Sequence, residues 1–259
     1  MTGFTNLGDL IRRDRDLGKV AIVDLGGEVS PREFSFVQLD EMANGVARAL
    51  SKRGLRRGDR VALLSANRAE YIAAYYGIMR AGLVAVPVNF KFPRATIHFI
   101  LRNAGAKLLF CDAARAADGP PDVERMTFGA DFDTFLDPGP FTPIAPRENE
   151  PAMFLYTSGS TGTPKGVVLS HQSHIWVVET RLAAGLDRHR YLIAAPLYHM
   201  NALALAKLAC AAHATIVLLP QFSAPAYIAA IAWRSCRPIA PNFLRPITAL
   251  CAPGLSPFR

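Results

Sequence analysis

The sequence predicts an α/β fold in which strands and helices are layered. Three observations carry the prediction. Short apolar runs recur at Val20–Asp24, Arg60–Leu64, 84–88 and 107–111. The segments between them carry apolar residues at helical spacing. Strand, helix and strand in this rhythm require parallel pairing, with helices across the sheet faces.

The elements follow in order. Val20–Asp24 is the first strand and runs into a turn at Gly26 and Gly27. Ser35 and Gln38 have the spacing of a capping box. Leu39, Met42, Ala43, Val46 and Leu50 then form one helical stripe, with Lys52 and Arg53 in the last turn and Gly54 as a left-handed stop. Ala69–Arg80 is apolar nearly all round, which predicts a helix buried on most sides and ended by Gly82. A helix is expected over 95–103. Residues 112–150 are rich in Asp, Gly and Pro and read as a surface excursion followed by a linker. Strand–helix alternation then resumes. Strands are expected at 152–156, 167–169, 191–194 and 215–219, and helices at 172–184, 201–211 and 224–232.

Composition narrows the class. The chain has 259 residues, 51% apolar and 19% charged, which supplies a real core and excludes wholesale disorder or collagen-like repetition. Net charge is +8 and the pI is near 9.6, which fits an anionic partner. Half of that excess sits in Arg234, Arg237, Arg245 and Arg259, so it is a poor signal for nucleic acid. Cys111, Cys210, Cys236 and Cys251 include no Cys-x-x-Cys pair and read as reduced thiols. The N-terminus has no apolar run of signal-peptide length. Residues 200–219 are long enough for a membrane span, but Asn201, Lys207 and His213 interrupt them, and an Ala-rich buried helix followed by a strand explains them better.

One segment carries chemistry. After the strand at 152–156 comes Thr157-Ser158-Gly159-Ser160-Thr161-Gly162-Thr163-Pro164-Lys165-Gly166, and a second strand follows at once. Gly159, Gly162 and Gly166 allow backbone amides to converge on one point. Five hydroxyls add donors, Lys165 adds a positive charge, Pro164 stiffens the backbone before it, and no acid intervenes. Such a loop is a cradle for phosphate. A flexible linker explains neither the Pro-Lys-Gly ending nor the flanking strands. It is not the Gly-x4-Gly-Lys-Ser/Thr loop of P-loop NTPases, since a strand follows it and not a helix.

A second candidate is His199, within Pro196-Leu197-Tyr198-His199-Met200-Asn201. It lies just past a strand, at an expected carboxyl end where α/β proteins place ligands. A hydrogen-bonded His at a helix start is the competing reading. His171 and His174 have a spacing that would suit a metal, but no Cys or carboxylate stands close in sequence, and a polar helix N-terminus accounts for them better. His98, His189 and His213 read as ordinary.

TSGSTGTPKG, preceded by LY and followed by VVLSH, resembles the phosphate-loop signature of the AMP-forming acyl-CoA synthetase, luciferase and adenylation-domain superfamily. Residues 58–89 resemble that family's N-terminal lobe, and AAPLYHMNAL resembles the segment lining its acyl site. The resemblance covers roughly residues 5–232. It implies the layered large N-terminal domain of the adenylate-forming enzymes, with a first lobe and linker over 1–150 and the start of a second lobe over 151–232. It also implies a two-step reaction. A carboxylate attacks the α-phosphorus of ATP to give an acyl-adenylate and pyrophosphate, and a thiol, usually coenzyme A, then takes the acyl group. On this resemblance Thr157, Ser158, Gly159, Ser160, Thr161, Gly162, Thr163 and Lys165 hold the ATP phosphates, Thr161 helps place magnesium, and His199 meets the acyl substrate. Amino-acid-activating relatives commonly place an Asp in this region. No Asp or Glu follows Asp187 here, which favours an acyl or aryl acid.

The expected protein is thus a cytoplasmic acid–CoA ligase of fatty-acid metabolism, acting on a small-molecule carboxylic acid without nucleic acid or a transmembrane span. Such a family runs to roughly twice this length, and its adenine-contacting, ribose-binding, hinge and C-terminal motifs are not found, so the chain is expected to be truncated and unable to complete the reaction. Residues 233–259 hold five Pro, four Arg, two Cys and no acid, and show neither strand nor helix period. A change of reading frame near Ala232 is the expectation for this aberrant tail, with a genuine Pro-rich tail as the alternative. The competing functional readings are a non-catalytic nucleotide-binding remnant or pseudogene product, and a basic membrane-surface or nucleic-acid protein, which predicts steep salt dependence of binding.

Overall fold

A computed structural model describes residues 3–26, 31–157 and 163–235. Two sheets share the strands. The six-stranded sheet runs β6-β5-β3-β4-β7-β8, from β3 (Arg60–Leu64), β4 (Val84–Pro87), β5 (Ala106–Cys111), β6 (Glu124–Thr127), β7 (Pro151–Thr157) and β8 (Lys165–Ser170). The four-stranded sheet runs β2-β1-β10-β9, from β1 (Val20–Asp24), β2 (Arg32–Ser35), β9 (Arg190–Ile193) and β10 (Thr215–Leu218). All pairings are parallel except β1–β2 and β7–β8. Both sheets draw strands from both sides of residue 150, so the boundary expected there divides the chain and not the sheets.

The helices are α1 (Phe36–Lys52), α2 (Ala69–Arg80), α3 (Arg94–Ala104), α4 (Ala130–Phe135), α5 (His171–Glu179), α6 (Met200–Ala211) and α7 (Ala224–Ser235). The capping box forms as expected. Gln38 N–H donates to Ser35 Oγ (3.3 Å) and Ser35 N–H donates to Gln38 Oε1 (2.8 Å). Gly54 has φ +82° and Gly82 φ +68°, the left-handed stops that glycine permits. Every residue of α2 is buried, because α1 and α2 lie between the two sheets. That central core joins Val61, Leu63 and Phe110 of one sheet to Ile22, Ile216 and Leu218 of the other. A second core packs α3 on the outer face of the six-stranded sheet, and a third packs α7 on the outer face of the four-stranded sheet. The layers are therefore helix, sheet, helices, sheet and helix.

Three local expectations change. Residues 112–150 are not wholly an excursion, because β6 extends the sheet beside β5 and Phe128, Phe132 and Phe135 pack around Phe110. Their aromatic spacing was hidden among polar neighbours. The linker after them is strapped to α2, with Ile144 N–H donating to Arg80 O (2.8 Å). Helix α5 ends at Glu179 and not near 184, since Thr180, Arg181 and Leu182 turn back onto the last helical carbonyls. β2 had no counterpart among the expected strands. Residues 200–219 are α6 followed by β10, and no helix among the described residues is long and apolar enough to cross a membrane.

Candidate functional site

The parallel strands β5, β3, β4 and β7 point the same way, so their carboxyl ends form one edge. Such an edge is where open α/β sheets bind ligands. β7 and β8 form an antiparallel hairpin there, in register from Met153↔Leu169 to Thr157↔Lys165. The ladder thus continues further than the expected 167–169, and Lys165 is the first residue of β8. Thr157, Thr163 and Lys165 are exposed at the hairpin end. Ser158, Gly159, Ser160, Thr161 and Gly162 lie outside the described residues, as do Gly27 and the tail from Cys236 onward. Tyr156 lies across Gly166, where an added Cβ would come within 3.0 Å of its ring, and its hydroxyl donates to Asn103 Oδ1 (2.7 Å). No acid occurs between Glu150 and Glu179. Exposed hydroxyls and an ammonium in an acid-free hairpin fit a polyphosphate.

His199 stands at the N-terminus of α6 with extended backbone, and its ring makes no cap to that helix. It is exposed, unlike its neighbour Tyr198. The two rings lie 4.6 Å apart, and Tyr198 meets Phe90 edge-on at 5.1 Å. Phe90 follows β4, the strand paired with β7, so a line of ring contacts leads from His199 to the sheet that carries the hairpin. Arg115 covers Phe90 at 3.8 Å and is held by Asp112 at 2.5 Å. Asp112, at the end of β5, also accepts from Ser65 Oγ and Ala66 N–H. The turn before His199 is fixed by Asn67, whose Oδ1 accepts Leu197 N–H at 2.7 Å. Asn67, Phe90, Asp112, Arg115 and Tyr198 were not singled out from sequence. The signal that could have found Asn67 is a polar residue between a strand's carboxyl end and a helix.

His171 and His174 are structural. His171 Nδ1 accepts Leu7 N–H (3.0 Å), and burial pushes its pKa down to about 4. His174 Nδ1 lies 3.1 Å from Lys207 Nζ, and burial followed by the lysine's charge pushes this imidazole to about 4 as well. Cys111 and Cys210 are buried free thiols raised to about 11 by burial. Beside the site, Arg32 joins Asp24 (2.7 Å) and Glu70 (2.6 Å). Burial raises the Glu70 carboxyl, but hydrogen bonds from Arg68 and Arg32 outweigh it and hold the group at about 2. Among the described residues no three His, Cys, Asp or Glu side chains gather as a metal centre.

The chain is similar to known proteins. A family model described as AMP-binding enzyme matches residues 12–251. The match continues past Ala232, beyond the range of the resemblance read from sequence. The long-chain-fatty-acid–CoA ligase FadD13 of Mycobacterium tuberculosis is 32% identical over 205 residues, covering 74% of this chain and 41% of that protein. The feruloyl-CoA synthase of an Amycolatopsis species is 31% identical over 231 residues, covering 85% and 45%. The crystal structure of ATP-bound MatB from Rhodopseudomonas palustris superposes with a TM-score of 0.75 at 28% identity, covering 89% of this chain and 48% of that one. The chain therefore spans about two fifths to one half of the length of these relatives.

Proposed function

The chain belongs to the AMP-binding enzyme family, and from that premise we propose that it carries the ATP phosphate site and part of the acid site of an AMP-forming carboxylic acid–CoA ligase. The observation that carries the reading is the β7–β8 hairpin, which opposes Thr157 and Lys165 at the carboxyl edge of the sheet in a segment free of acid. Thr157, Ser158, Gly159, Ser160, Thr161, Gly162, Thr163 and Lys165 hold the ATP phosphates. The Thr161 hydroxyl would help to hold magnesium, which would supply shielding of the phosphate charge. His199 meets the carboxylic acid, and coenzyme A is the acyl acceptor. Phosphoryl chemistry needs positioning and charge stabilisation more than covalent help, and this hairpin supplies both. The absence of Asp or Glu after Asp187 leaves no partner there for a substrate ammonium, which supports an acyl or aryl acid. The reading is of a cytoplasmic ligase of fatty-acid metabolism, working where ATP and coenzyme A are both supplied.

The experiment is ATP–pyrophosphate exchange driven by dodecanoate or ferulate. In an intact ligase that carries this segment, Lys165→Ala is expected to weaken exchange and ATP affinity by roughly tenfold or more, since a charge-assisted hydrogen bond contributes about 1.5–3 kcal/mol. An unchanged variant overturns the assignment of Lys165. A second reading is nucleotide binding without turnover, and ATP binding with no exchange on any acid supports it.

A further inference from the structure

Asn67 follows β3, is 2% exposed, and is fully used as a hydrogen-bonding group. Its Nδ2 donates to Ala195 O (2.9 Å) and Leu219 O (3.0 Å), and its Oδ1 accepts Leu197 N–H (2.7 Å). Its own N–H donates to Pro220 O (3.0 Å). The four bonds all run to the carboxyl edge of the other sheet. Residue 67 hangs from β3, which pairs with β4, which pairs with β7, so it is tied to the phosphate hairpin. Ala195 and Leu197 lie in the turn after β9, which closes through His199 N–H donating to Pro196 O (2.9 Å) and opens α6. Only a carboxamide places one acceptor and two donors on a single short planar group. Alanine leaves the Leu219 carbonyl and the Leu197 N–H unpartnered in a buried site and releases the part-buried bond to the Ala195 carbonyl, and a carboxylate turns a second oxygen toward those carbonyls.

We propose that Asn67 is the positioning residue that sets the 194–199 turn, and with it His199, against the β7–β8 hairpin, so that the acid and the ATP phosphates are held in one register. This rests on the ligase reading above, and it adds the element that couples the two halves of the site across the two sheets. Asn67 acts through the turn and touches no substrate.

The test uses the 259-residue chain and its Asn67→Ala and Asn67→Asp variants. Hydrogen exchange is expected to speed up by about tenfold or more at the Leu197, His199 and Leu203 amides, with Phe154 and Leu155 of β7 unchanged. Unchanged protection at Leu197, or loss of the fold in both variants, overturns the proposal, because a positioning residue leaves the sheets intact. Titration with dodecanoate or ferulate, and separately with ATP, is expected to show roughly tenfold weaker acid binding with ATP affinity within about twofold of the parent. The Asp variant is expected to regain acid affinity as pH falls and its carboxyl becomes a donor, and the Ala variant is not. Equal loss of both ligands, or full acid affinity in both variants, overturns the proposal. A parent chain that binds neither ligand overturns the ligase reading instead, and the exchange result then decides the role of Asn67 in the turn.

Discussion

Lys207 is a buried amine on α6 whose hydrogen-bond partner is a neutral imidazole, His174 of α5. Burial pushes its pKa from the ordinary lysine value down to about 7. The unfolded chain therefore binds more protons than the folded one between pH 7 and about 10.5, and stability rises with pH across that window. Lys207→Met removes the slope and keeps the volume. It is expected to raise stability at pH 7 by on the order of 3 kcal/mol and to flatten the pH dependence between 7 and 10. Urea unfolding at both pH values checks this, and a variant less stable than the parent at pH 7 refutes it. His171 and His174 act in the neighbouring window. Both are held neutral, so stability falls as pH drops from the unfolded imidazole value toward about 4. The sequence placed these residues at helical positions. It did not pair a lysine with a histidine thirty-three residues away, because a packing partner on another helix has no periodicity to reveal it.

Elements packed against each other impose stricter demands than elements alone. Gly77 lies within α2, where alanine is the better helix former by about 1 kcal/mol. Here an added Cβ would stand 2.6 Å from both Ala43 O and Val46 Cβ of α1. Both are parts of a fixed helix and not tips of flexible side chains. Gly77→Ala is therefore expected to destabilise the protein by roughly 1–3 kcal/mol net, lowering the Tm by about 2–10 °C. A thermal melt showing an unchanged or higher Tm rules out the close approach of α1 and α2. Helix α1 itself was legible, because its cap, stripe and glycine stop are all local signals. The glycine at 77 was not, since its reason lies on another helix.

At the scale of the whole molecule, exposed apolar side chains are unevenly placed. Among the described residues before 150 the large ones are Val37 and Phe99, whereas later ones include Val167, Val168, Trp176, Phe222 and Ile228. β8 is an edge strand, and successive side chains on it, Val167 at 47% and Val168 at 59%, are exposed on opposite faces. Unpaired backbone beside uncovered valines is a template for strand addition. The chain by itself is expected to self-associate through β8, and Val168→Lys is expected to lower light scattering at a given concentration by about half or more. Equal scattering from parent and variant excludes β8 as the contact.

The sequence by itself determined most of the local elements and the residue types of the hairpin. A cap, a stripe, a glycine stop or an acid-free run of hydroxyls ending in Lys165 is written in adjacent residues, and each part needs only its neighbours. It also determined that α2 is buried on most sides, since Ala69–Arg80 is apolar nearly all round. Tertiary structure alone decided which strands share a sheet. β1 pairs with β10 nearly two hundred residues later, and β4 pairs with β7 across the linker. It also decided that Phe128, Phe132 and Phe135 fold a polar-looking stretch onto Phe110. The place of His199 relative to the hairpin belongs to this second class. It depends on Asn67 bridging two sheets, and the choice of which strands pair is set by packing and loop closure over long separations, which leave no local mark in the chain.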